Sequence, residues 1–372
     1  MDINEYLKKM KHIQKHILDF LENEKSSTED YQSLINFFQK QKVKEDKSQL
    51  KSTLYILLKI SNNHHRTPNF FPKIEQILQF FKAEMNSYYT KFDIFNIFKK
   101  NKRILLFLFE ENFIEPTKSM YRIISSSKYM KKCYPHYFFP EFSLFFDEKM
   151  KKEVGKMNIN EEFIEKNIIS YDTKRKIAEN DSYICELIRN DAINEFVSFF
   201  NQEKLSASSP IESSIYETNS FLIKKSSTII EYSVFFGSSQ IFKYLQTKKA
   251  KLNQSLWFYA IHSQNPELIH LLDCSNNSKK QDKPYKKYLF ECIKCHHNTI
   301  MKYIRNSFLK KSIRNEIDVF VQSIKNYNFK SFPKKVGNEF AVFYNMCKYD
   351  YSSIVELLLN ASNVNVNNIE IF

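Results

Sequence analysis

Glycine is nearly absent from this chain: only Gly155, Gly237 and Gly337 occur in 372 residues. Walker-type phosphate loops and dinucleotide fingerprints need clustered glycines so that backbone can approach phosphate, and neither can be written here. That excludes a large share of nucleotide-using enzymes. No stretch approaches about 20 uncharged apolar residues, so no transmembrane helix is expected. The opening MDINEYLKKMKHIQKHILDF is charged throughout and does not read as a signal peptide. Strand alternation bounded by hairpin turns is also missing, so almost no sheet is expected. The six cysteines are scattered and read as reduced thiols of a cytoplasmic or nuclear protein.

Apolar side chains and positive charge are plentiful. Hydrophobic residues make up 42% and the formal net charge is +14. The charge is not gathered into a basic arm. Residues 1–150 carry 25 basic and 18 acidic side chains, and residues 151–372 carry 31 and 24. An even spread reads as a solvated basic surface before it reads as a nucleic-acid site.

The chain repeats itself. Thr228–Asn253, Ser255–Asp273 and Lys287–Ile304 each hold an apolar helix pattern, a polar turn and a second apolar helix pattern. One buried position of each second helix is expected at Phe196, Ile241, Leu268, Ile300 and Ile354. The Ser206–Pro210 stretch reads as a loop insertion, Val319–Phe332 as a degenerate unit, and Tyr351–Asn367 as a well-formed late one. Such self-similarity predicts stacked antiparallel helix pairs, an all-α solenoid.

Less regular pairs are expected over 1–155 and clearer repeats over 156–372. The first helix carries Ile3, Leu7, Met10, Ile13, Ile17 and Leu21, with Asp2 and Glu5 as a capping box. Ser27 and Asp30 are placed to cap a second helix. Tyr134–Glu141 reads as an aromatic loop.

Unit 228–253 resembles an ankyrin repeat. Gly237 falls at the turn that favours positive φ, and Ile241, Tyr244 and Leu245 fall on the packed face. The whole chain resembles a divergent ankyrin family of unknown function expanded in parasitic protists. The likeness is carried by Asn62–Lys82, Asp181–Asn201, Leu256–Asp273 and Cys292–Ile304. It implies ankyrin-type stacking and no catalytic residues. In such stacks the position of Phe258, aligned with Glu231, faces the concave side, so Phe258 is the expected protein-binding anchor. Trp257, aligned with Ile230, is expected in the core, as are Leu245 and Leu271.

Three groups of residues carry possible chemistry. Cys292, Cys295, His296 and His297 form a C-x-x-C-H-H run, a spacing shared by metal and haem sites. The repeat register instead makes Cys292 a small buried helix residue and His296–His297 the turn. His12 and His16 stand one helical turn apart without the Glu of a metalloprotease, and His64–His65 sit in a loop before Pro68. No metal, cofactor or catalytic residue is therefore expected. The functional expectation is a non-catalytic protein-binding scaffold with an unidentified protein partner and no membrane association. The alternatives are nucleic-acid binding through the diffuse basic surface, and an enzyme with a pocket of convergent polar groups.

Overall fold

The computed structural model describes residues 3–25, 27–127, 130–156, 161–275, 284–309, 316–333 and 339–360. Among these residues there are 24 α-helices and no strand; one isolated bridge pairs Pro210 with Thr228. No described helix is long and apolar enough to cross a membrane.

Contacts divide the chain into two compact units. One joins Met1–Phe80 to Gln264–Phe372; the other is Phe81–Ser263. Residue 155, where the sequence pattern becomes more regular, lies inside the second unit.

In the unit Phe81–Ser263, the helices Tyr183–Arg189, Ile229–Phe236 and Leu256–Ser263 pack one against the next. Each of the first two is followed by a second helix, Ile193–Gln202 and Ser239–Thr247, and these also touch. Their inward positions Phe196, Ile241 and Leu245 are fully buried. Earlier in the unit, Tyr134–Glu141 is not a loop. It forms two one-turn helices, Tyr134–Tyr137 and Phe139–Phe142, each with a proline in its first turn, where no N–H is needed. The aromatics there bury against Arg175. Its buried guanidinium donates to both Glu141 oxygens at 2.8 and 2.9 Å and to the Tyr137 carbonyl at 3.2 Å.

The other unit is built from both ends of the chain. Tyr285–Cys295, Glu316–Lys325 and Glu339–Lys348 pack successively, and Lys47–Asn63 lies against Tyr285–Cys295. The helix Ile3–Glu22 contacts Thr28–Lys40, Lys47–Asn63 and Phe70–Phe80, and reaches the turn Phe329–Ser331. Met10, Ile13, Ile17 and Leu21 are fully buried, as the stripe predicts; Leu7 is half-buried and Tyr6 takes its place inside. Ser27 and Asp30 do form a capping box. The Asp2 cap and the end of the Tyr351–Asn367 unit lie outside the described residues.

Two positions in the repeat register shift by one residue. Ile300 is half-buried and its neighbour Met301 is buried; Leu271 is half-buried while Leu272 is fully buried. Leu268 and Ile354 are buried as expected. The degenerate unit keeps its first helix, Glu316–Lys325, but its second is reduced to the 3-10 turn Phe329–Ser331.

The turn between helices is the most regular feature. Asp191, Gly237, Gln264, His296, Tyr327 and Asp350 all have φ between 46° and 75°. In five of these turns the next residue donates its N–H to the carbonyl five back: Ala192 to Leu187, Ser238 to Ser233, His297 to Cys292, Asn328 to Ser323 and Tyr351 to Met346. This is the Schellman closure of a helix end. Glycine occupies it only once. A left-handed non-glycine residue costs about 1–2 kcal/mol, so the other turns need compensation. They receive it from their own side chains.

Candidate functional site

Side chains at these turns bond from one helix pair to the next. The residue after the left-handed position donates to the carbonyl three residues before the left-handed position of the preceding pair. Ser238 Oγ reaches Ile188 O at 2.5 Å, Asn328 Nδ2 reaches Ile293 O at 2.9 Å, and Tyr351 Oη reaches Ile324 O at 2.9 Å. The left-handed residues add contacts of their own. His296 Nε2 donates to Asn326 O at 2.9 Å and Tyr327 Oη to Tyr349 O at 2.6 Å, while the Asp191 carboxylate accepts from Gln240 and Ile241 N–H, both at 3.0 Å. Within each unit, successive turns are thus joined by a ladder of hydrogen bonds, those of Ser238, His296, Asn328 and Tyr351 buried. Buried polar groups are costly unless paired, so the ladder fixes the register between pairs.

The first helix enters this ladder through one residue. Gln14 is fully buried, at the position of the apolar stripe that follows Met10 by one turn. Its Nε2 donates to His296 Nδ1 and to Asn328 Oδ1, both at 2.8 Å, and its Oε1 accepts from Lys330 N–H at 3.0 Å. Because His296 Nε2 carries the proton given to Asn326 O, Nδ1 is the acceptor, and the ring is the neutral Nε2–H tautomer. Burial, with the nearby charge of His64, pushes its pKa down to about 3.

Two of the three histidine pairs singled out in the sequence, His64–His65 and His296–His297, meet here. His64, 1% exposed, donates from Nδ1 to Cys295 O at 2.7 Å; its Nε2 stands 3.1 Å from Glu22 Oε1, a charged pair when the ring is protonated. The His64 and His297 rings meet edge-on at 4.7 Å, and His65 N–H points to His297 Nε2 at 3.4 Å. Burial alone would raise the Glu22 carboxyl, but hydrogen bonding to His64, the charge of that ring and Gln264 bring it below the usual carboxylate value.

Cys292 and Cys295 are fully buried, and burial holds both thiols well above their usual value. Cys292 fills the small inward position also held by Ser233 and Ala260, which are equally buried. Both His296 nitrogens and Nδ1 of His64 are bonded within the fold. His12 and His16 lie on the exposed side of the first helix, with His16 stacked on Phe37 at 3.7 Å.

A cleft of about 400 Å³ opens beside the cluster. Lys15, Leu18, Asp19 and Glu22 form one wall; Thr299 and Ile300, at the start of the helix Asn298–Ser307, form another. Thr299 is the only hydroxyl among its lining residues, and no cysteine lines it. It holds convergent polar groups but no nucleophile set beside a free base.

Trp257 is fully buried, as its alignment with Ile230 predicts. Phe258 is half-buried rather than open, and the Lys225 ammonium lies 5.0 Å from its ring centroid. Gln14 and Asn328 were not singled out in the sequence. The one available signal was a polar residue on an otherwise apolar helix face. No protein-family model matches this chain, and neither a curated protein nor a solved structure matches it.

Proposed function

We propose that this chain is a non-catalytic scaffold that binds a protein partner, with its helix pairs stacked as an ankyrin-like solenoid. The observation that carries the reading is the turn ladder. It spends the polar side chains of successive turns on holding one pair to the next, which leaves helix faces and the adjoining cleft preset for contact. Preset surfaces bind with less ordering cost. The resemblance of Asp181–Asn201 and Leu256–Asp273 to divergent ankyrin units supports the same reading. Catalysis is disfavoured because both His296 nitrogens are engaged within the fold.

The test pairs two measurements. Proteins co-purifying with the parent and with Thr299→Arg, which fills the cleft, are compared by quantitative mass spectrometry. Mixed-sequence nucleic acid is titrated at roughly 150 mM salt, where exposed charges are well screened. The scaffold reading expects a reproducible protein set that Thr299→Arg loses, and nucleic-acid binding that fades at this salt. Tight, sequence-selective nucleic-acid binding with no protein lost would overturn it.

A further inference from the structure

The Lys225 ammonium is surrounded by three aromatic rings of the unit Phe81–Ser263. It lies 4.9 Å from the Phe221 centroid, 5.0 Å from Phe258 and 6.0 Å from Tyr259. Each distance falls within the range at which a ring face attracts a cation. The rings are held in place from behind. Phe221 meets Tyr259 edge-on at 4.9 Å and packs on His262 at 4.4 Å; Tyr259 is 2% exposed. Tyr259 also shares hydrogen bonds with Ser227 and Glu231, and Glu231 is fixed in turn by Thr228 and by Ser255 Oγ at 3.0 Å. The lysine is held less firmly. Lys224, Lys225 and Ser226 are all exposed, and Lys225 follows the end of a five-residue helix. A rigid set of ring faces is thus occupied by a cation on an exposed segment.

We propose that Phe221, Phe258 and Tyr259 form a cation-binding site that receives an Arg or Lys side chain of a protein partner, with Lys225 as its resident competitor. The proposal rests on the scaffold reading and names the chemistry of the contact at Phe258. Charge complementarity commits the occupant: the ring faces favour a cation, whereas an acidic segment would meet Lys224 and Lys225 but gain nothing from the rings. Occupancy requires Lys225 to swing out, so the lysine lowers the apparent affinity by the fraction of time it spends in the site.

The probe is tetramethylammonium chloride, with tert-butanol as a neutral molecule of similar shape, observed by saturation-transfer NMR on the full chain. The probe alone is measured, so the site is judged whether or not a protein partner is found. Lys225→Gln is expected to bind tetramethylammonium about three- to sixfold more tightly than the parent, the range set by one exposed cation–ring contact. Adding Phe258→Leu, which keeps apolar volume but removes the ring, is expected to abolish the gain. Equal binding by parent and Lys225→Gln, equal binding of tert-butanol, or a gain that persists with Phe258→Leu would each overturn the proposal. Lys225→Gln changes an exposed residue, so its result stands even if the double variant fails to fold.

Discussion

Asn328 joins the first helix to two successive turns, so its removal tests the ladder directly. It is fully buried, its Oδ1 accepts from Gln14 and its Nδ2 donates to Ile293 O. Asn328→Ala deletes both bonds and leaves one Gln14 N–H and one lone pair of a buried carbonyl unsatisfied. An orphaned buried group costs about 1–3 kcal/mol, so the variant should lose roughly 2–4 kcal/mol. That is a large part of a domain stability of about 5–15 kcal/mol. Urea unfolding followed by circular dichroism measures the loss, and native-state hydrogen exchange assigns it to the unit that contains both chain ends. Gln14→Ala removes the same bond from the other side. The two changes should therefore not add, with a coupling of about 0.5–3 kcal/mol in a double-mutant cycle. A loss below about 0.5 kcal/mol for Asn328→Ala, the size of an ordinary surface change, would refute the ladder as a stabilising device. So would additive behaviour of the pair.

Other outcomes follow from the same geometry. His296 is neutral when folded, with its pKa depressed from 6.5 to about 3, so the unfolded chain binds the extra proton between those values. Its contribution is full above pH 6.5 and is lost as pH falls toward 3, at about 1.4 kcal/mol per pH unit; His296→Gln should flatten the acid side of a stability–pH curve, and an unchanged slope would count against a ring held neutral by burial. Arg175→Ala strands the Glu141 carboxylate, and breaking a buried pair costs about 3–5 kcal/mol; Arg175→Lys should fall between, because it keeps the charge but not the two-pronged contact, and thermal melting ranks the three proteins. Leu272→Ala should cost about 2–5 kcal/mol and half-buried Leu271→Ala distinctly less; equal losses would contradict the shifted register. Chelator should leave the melting temperature unchanged, since burial favours the thiols of Cys292 and Cys295 over the thiolates that zinc needs; a tightly held zinc lost on Cys295→Ser would contradict that.

Helix content was legible because it rests on local rules. The 3.6-residue stripe of Met10, Ile13, Ile17 and Leu21 marks a buried face whatever packs on it, and Ser27 with Asp30 forms its cap from side chains three residues apart. Cys292 as a small inward residue and His296–His297 as a turn followed from aligning one repeat with the next. The register slipped at Ile300 and Leu271 because a helix of about ten residues can rotate by one position and still bury an apolar side chain. The loop expected at Tyr134–Glu141 is instead two one-turn helices, because a proline in the first turn of a helix is tolerated.

The sequence by itself determined the helices, the repeat and the absence of glycine-built phosphate sites, all properties of neighbours within a few residues. Tertiary structure decided the rest. Gln14 meets His296 and Asn328 across more than 280 positions, His64 meets Cys295 across 231, and Lys225 finds its rings through a fold that sets one helix beside the next. No local pattern encodes those meetings, because each is fixed by which helix faces stack, and the free energy that selects the stacking belongs to the assembled core.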